Sequence, residues 1–111
     1  MPKQTWLVGI DQEPGQTQAQ FNPQSLQIAN GDVVFWRNNT SHPHQVKPVG
    51  GEDDAWMDEI PAKLPDQDAP TSRQVTFALA TDANGNPIET SATFEYVCAF
   101  HANETGTIKV A

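Results

Sequence analysis

Apolar and polar positions alternate through much of the chain. The period of two is cleanest in Val75, Phe77 and Leu79 and again in Phe94, Tyr96 and Cys98, and it sends each trio to one face of a strand. Seven short runs rich in β-branched and aromatic residues, at 5–10, 25–29, 33–38, 45–49, 73–80, 92–98 and 106–110, are separated by turn clusters, which predicts an all-β sandwich. Asn30-Gly31 falls between two of the runs and has the positive-φ chemistry of a tight hairpin turn. A second turn is predicted over Ala83-Asn84-Gly85-Asn86-Pro87. Cys98 closes its strand on the inward-facing side.

The pattern breaks at 48–70. Four prolines interrupt it (Pro48, Pro61, Pro65 and Pro70), and Glu52, Asp53, Asp54, Asp58, Glu59, Asp66 and Asp68 supply half of the chain's 14 carboxylates. A long loop with at most one helical turn is expected, either a solvated acidic stretch or a docking patch for a basic partner. Trp56 and Met57 are expected to pack it down onto the core.

Length and charge narrow the reading. At 111 residues, with no internal repeat or linker, a single domain over 1–111 is expected. The net charge of −8 argues against nucleic acid and against anionic membrane surfaces. No stretch approaches the roughly 20 apolar residues that span a bilayer, so no membrane insertion is expected. Met1-Pro2-Lys3-Gln4-Thr5-Trp6 lacks the apolar run of a signal peptide. Either the protein is cytoplasmic or a leader has been replaced by the starting Met. The second is favoured, giving a periplasmic or otherwise extracytoplasmic location.

The candidate chemistry is concentrated in two places. Cys98, His101 and Glu104 follow one another at three-residue intervals, and His42-Pro43-His44 sits just beyond the third strand. Pro43 restricts the backbone beside His44. The only cysteine and all three histidines thus lie at predicted strand ends. A thiolate with two imidazoles favours copper or zinc, and a trigonal His₂Cys site with a weak fourth ligand is typical of electron-transfer copper. Taken singly, Cys98 reads as a small core residue and the histidines as loop residues; their joint placement favours a metal. A Cys98 nucleophile with a histidine base leaves the strand-end pattern unexplained.

The run Phe35-Trp36, Asn39, Pro43-His44-Gln45-Val46, Tyr96-Val97-Cys98-Ala99-Phe100-His101 and Gly106-Thr107-Ile108-Lys109-Val110 resembles the plastocyanin and azurin group of cupredoxins over nearly the whole chain. The short Cys-x-x-His-x-x-ligand loop is most similar to that of amicyanin. The resemblance implies a Greek-key sandwich of seven to eight strands holding one copper ion through His44, Cys98 and His101. It further implies one-electron transfer rather than catalysis, by a monomer whose redox partner protein docks at an apolar rim around His101 and Phe100, with Ala99 and Ala102 beside them. Phe100 as a core residue closing the barrel end is the alternative.

The fourth position departs from the family. An axial methionine usually stands three residues after the second histidine, and here Glu104 does. A carboxylate is hard and anionic, so Glu104 as ligand stabilises Cu(II) and lowers the potential. The alternative is a solvent-facing Glu104 and a three-ligand or water-completed site. Cys, two His and Glu also make an acceptable zinc set, leaving open a metal-binding module without redox cycling, or a copper site with an open position for a small molecule. His42 is expected at the surface. Three N-glycosylation triplets, starting at Asn38, Asn39 and Asn103, are assigned no role.

Overall fold

A computed structural model describes residues 4–15, 17–49 and 56–111. It is all-β, and among the described residues there is no helix, hence none long and apolar enough to cross a membrane. Eight strands run in the order β1 (Thr5–Asp11), β2 (Gln20–Asn22), β3 (Ser25–Ile28), β4 (Val33–Asn38), β5 (Val46–Pro48), β6 (Val75–Thr76), β7 (Ala92–Cys98) and β8 (His101–Val110). They form two four-stranded sheets, ordered β2-β1-β4-β6 and β3-β8-β7-β5. The pairs β1/β4 and β3/β8 are parallel and the remaining pairs antiparallel. Neither parallel pair can be joined by a hairpin, so the chain crosses between sheets.

One such crossing is the Asn30-Gly31 turn. Asp32 N–H donates to Ala29 O at 3.1 Å and Gly31 takes φ 90°, while Asn30 keeps negative φ, a type II turn with glycine where positive φ is required. The turn chemistry was therefore legible, but the hairpin expectation is corrected: β3 and β4 belong to different sheets. Asp32 clamps this corner. Its carboxylate accepts from Gln4 N–H, the Trp6 indole and Ala29 N–H, each at 3.0 Å, and these donors, Gln4 first, hold its carboxyl below the usual range despite its desolvation.

Inward positions from both sheets meet around Trp36 and Tyr96, both fully buried. The two rings pack edge-on at 5.4 Å, and Phe21 packs edge-on against Tyr96 at 4.8 Å, favourable geometries for aromatic pairs. Trp56 packs edge-on against Phe77 at 5.0 Å and Met57 is buried, so both pack against the core as expected. Glu52, Asp53 and Asp54 lie outside the described residues; across 56–70 no helical turn forms.

Two more boundaries differ from expectation. The run 73–80 yields only β6: Phe77 and Leu79 are buried as the alternation requires, yet Phe77 N–H donates to Asp32 O and Leu79 N–H to the Asn30 side chain. Those donors are satisfied by a corner instead of a neighbouring strand. In contrast, 106–110 is the end of a ten-residue strand that starts at His101.

Candidate metal centre

The β7–β8 connection builds most of the site. From Ala92↔Val110 to Val97↔Thr105 the two strands pair residue for residue, and the next pairing is Cys98↔His101. Residues 102–104 are the surplus on β8, a bulge of the kind that re-aims side chains at functional sites. It lets His101 and Glu104 both face Cys98. On the other side, β5 pairs with β7 through Val46↔Cys98, which brings the preceding loop alongside. His44 is pinned there by a reciprocal backbone pair with Ile60, His44 N–H to Ile60 O at 3.1 Å and Ile60 N–H to His44 O at 2.7 Å. Ala99 N–H donates to Gln45 O at 2.7 Å, tying the two loops together.

These contacts bring the four sequence-predicted site residues into one cluster. His44 Nδ1 lies 3.4 Å from Cys98 Sγ and 3.2 Å from Glu104 Oε1. His101 Nδ1 lies 3.8 Å from the sulfur and 3.5 Å from the same carboxylate oxygen. All four donor atoms fall within 4.8 Å of one another. A tetrahedron with such edges has its centre about 2–2.5 Å from each corner, the length of a first-row metal bond to nitrogen, oxygen or thiolate sulfur. The donor set therefore fits one ion in size as well as in chemistry.

Burial grades the four. His44, Cys98 and Glu104 are buried, whereas the His101 side chain is 48% exposed. Of the two readings of Glu104, the solvent-facing one is excluded. Its Oε2 accepts from Ala19 N–H at 2.9 Å and its Oε1 has no hydrogen-bond partner among the described residues. A buried carboxylate oxygen without a donor is costly, and a cation between it and His44 removes the cost. His42 is exposed and stands apart from the cluster, as expected. Phe100 is 46% exposed, so it does not close the barrel end; the side chain of Ala102 lies outside the described residues.

Burial favours the neutral forms of His44 and Cys98 without metal. Burial holds the His44 imidazole below its ordinary value of 6.5, reinforced by His101 and His42 and opposed by the Glu104 charge. Burial likewise pushes the Cys98 thiol above 9.0, with Glu104 adding to the rise and the backbone around Gln45, Phe100 and His101 opposing it.

The model of copper-binding proteins of the plastocyanin/azurin family matches residues 8–111. The chain belongs to that family. Among curated relatives, plastocyanin of Vicia faba is 26% identical over 81 residues, 73% of this cupredoxin and 75% of that protein. Chloroplastic plastocyanin of Pisum sativum is 27% identical over 81 residues, again 73% of this chain but 44% of the relative's own length. Three amicyanin mutants illustrate the likeness of fold: a reduced form (TM-score 0.61, 24% identity, 96% of this chain and 82% of that one), an oxidised form (0.63, 22%, 96% and 82%) and a Cu(I) form (0.63, 18%, 100% and 86%). Copper is the metal of this family, and the His44–Cys98–His101–Glu104 cluster supports one copper ion.

Sequence reasoning missed three residues that shape the cupredoxin site. Ala19 acts through its backbone N–H, which leaves no mark on residue type. Thr40 and Asn38 hold His44 from behind, and the only signal was a short polar run one turn upstream of the histidine.

Proposed function

We propose that this cupredoxin is a one-electron carrier in which His44 Nδ1, Cys98 Sγ, His101 Nδ1 and Glu104 Oε1 hold one copper ion. The observation carrying the reading is the convergence of those four atoms at one end of the sandwich, with Glu104 Oε1 buried and lacking any hydrogen-bond donor among the described residues. Bound copper supplies the one-electron couple. His44, Cys98 and Glu104 exclude water and keep the donors in one arrangement, so that little reorganises when charge changes. Cys98 must surrender its proton to serve as thiolate. His101, set at the rim beside exposed Phe100 and half-buried Ala99, is the natural point of contact for a redox partner protein.

The single domain works as a monomer in this reading, in an extracytoplasmic compartment, periplasmic in a bacterium. Glu104 would hold the ion as a fourth donor, where the family usually has a thioether. Because a carboxylate favours the more highly charged ion, the site is low in potential or not blue. The presence of a hard fourth donor also favours a second reading, a zinc- or copper-binding module without redox cycling. Titration with Cu(II), followed by absorption and electron paramagnetic resonance, tests the carrier. An intense thiolate-to-copper band and a reversible one-electron wave are expected, with the spectrum moving toward blue in Glu104→Met. Absence of any coloured species refutes the carrier, and identical spectra for the two proteins remove Glu104 from the ligand set.

A further inference from the structure

The second nitrogen of His44 is held by a chain of hydrogen bonds in which every proton can be placed. Asn38, fully buried, directs Nδ2 at the carbonyls of His42 (2.7 Å), Pro61 (3.0 Å) and Ile60 (3.4 Å). Only the amide nitrogen can face three carbonyls, so Oδ1 is fixed on the opposite side. There it accepts from Thr40 N–H at 2.9 Å and lies 2.7 Å from Thr40 Oγ1. Two oxygens approach so closely only with a hydrogen between them, and an amide oxygen has none to give. The single hydroxyl proton of Thr40 therefore lies toward Asn38 Oδ1, with His42 O, 2.9 Å away, on the same proton. Thr40 Oγ1 has only lone pairs left, one facing His42 N–H at 3.3 Å and one facing His44 Nε2 at 3.0 Å, and that nitrogen must be the donor.

We infer that Thr40, itself oriented by Asn38, is a positioning residue that locks His44 in the Nε2–H tautomer and so keeps the Nδ1 lone pair bare toward Cys98 and Glu104. The inference rests on the ligand reading above for its purpose, although the tautomer exists without metal. Without the Thr40 hydroxyl, the imidazole proton is free to move to Nδ1, where Glu104 Oε1 at 3.2 Å accepts it. A metal must then displace that proton. Partners of this kind behind a metal-bound histidine are worth about 10–100-fold in affinity.

The test is two-bond proton–nitrogen correlation spectroscopy on the metal-free, ¹⁵N-labelled protein, with Thr40→Val, which keeps the shape, and Thr40→Ser, which keeps the hydroxyl. Wild type and Thr40→Ser are expected to show His44 protonated on Nε2, and Thr40→Val to show Nδ1 protonation with about 10–100-fold weaker Cu(I) binding. Nδ1 protonation already in wild type overturns the inference, and so does Nε2 protonation in Thr40→Val with Cu(I) affinity within about twofold of wild type. The tautomer is read before metal is added, so it stands or falls separately from the ligand reading. That reading fails instead if Cu(I) leaves the wild-type Nδ1 resonance unmoved.

Discussion

Replacing Glu104 by Gln tests what a carboxylate contributes at the fourth position, because the side chain keeps its shape and loses its charge. Donor separations of 3.2–3.8 Å around the cluster put a shared ion about 2–2.5 Å from Oε1. A unit charge at that distance is worth about 7 kcal/mol at an effective dielectric near 20, or about 300 mV for one electron at ~59 mV per tenfold. That figure is a ceiling, since the rim at His101 admits solvent and Ala19 N–H already draws on the same carboxylate. A rise in potential of about 100–300 mV is expected, arising from weakened Cu(II) binding, with Cu(I) affinity changed by less than about tenfold. The amide carries a second consequence. Glutamate offers acceptors both to Ala19 N–H and to the ion, whereas Gln must turn its NH₂ toward one of them. Ala19→Pro removes that N–H, so it should relieve part of the affinity loss when combined with Glu104→Gln. The assay is spectroelectrochemical titration of the three proteins alongside wild type. A Glu104→Gln potential within about 30 mV of wild type refutes a charged fourth ligand.

Copper affinity should fall about tenfold for each unit of pH below neutrality, because the raised Cys98 thiol must release one proton on binding; competition against a chelator across pH checks this, and a flat profile contradicts a thiolate ligand. The metal-free protein should lose stability at both extremes. His44 is depressed below 6.5 in the fold, so its contribution is complete above about pH 6.5 and declines as pH falls through the folded value. Cys98 is raised above 9.0 and Tyr96 from 10.0 to about 12 by burial, so theirs are complete below pH 9 and pH 10 respectively and are lost as pH rises through the folded values. Denaturant melts across pH should show this dome, and a plateau to pH 12 would contradict the burial of both groups. Gly106 faces Tyr96 so closely that a Cβ there would overlap the ring and hydroxyl; Gly106→Ala should cost about 1–3 kcal/mol by overpacking, measurable by the same melts, and a neutral substitution would mean that Tyr96 can move aside.

Much of this architecture is written in the side-chain pattern, and the exceptions have physical reasons. Strands β1, β3, β4 and β7 were legible because each is a short run rich in β-branched, aromatic or other apolar residues bounded by turn residues, and the fold buries every second position. β2 was not, since Phe21 is the only apolar residue among its three, and the strand is supplied by pairing with β1. The 73–80 run shows the converse, with correct alternation but ladder partners replaced by the Asn30–Asp32 corner. A turn such as Asn30-Gly31 encodes its own dihedrals without encoding which sheet follows it. At the site, the donor residues were legible because soft and imidazole ligands gather at two strand ends. Whether Glu104 faces in or out was not, because it depends on the surplus at 102–104 and on an N–H from the distant Ala19. Thr40 and Asn38 were equally hidden, as ordinary polar residues whose importance lies in the direction of a single proton.

The central claim is most directly tested by a crystal structure of the copper-loaded protein with anomalous data collected on both sides of the copper edge. One anomalous peak is expected, bonded to His44 Nδ1, Cys98 Sγ, His101 Nδ1 and Glu104 Oε1. A peak ligated by His42, or one from which Cys98 is absent, would contradict the account.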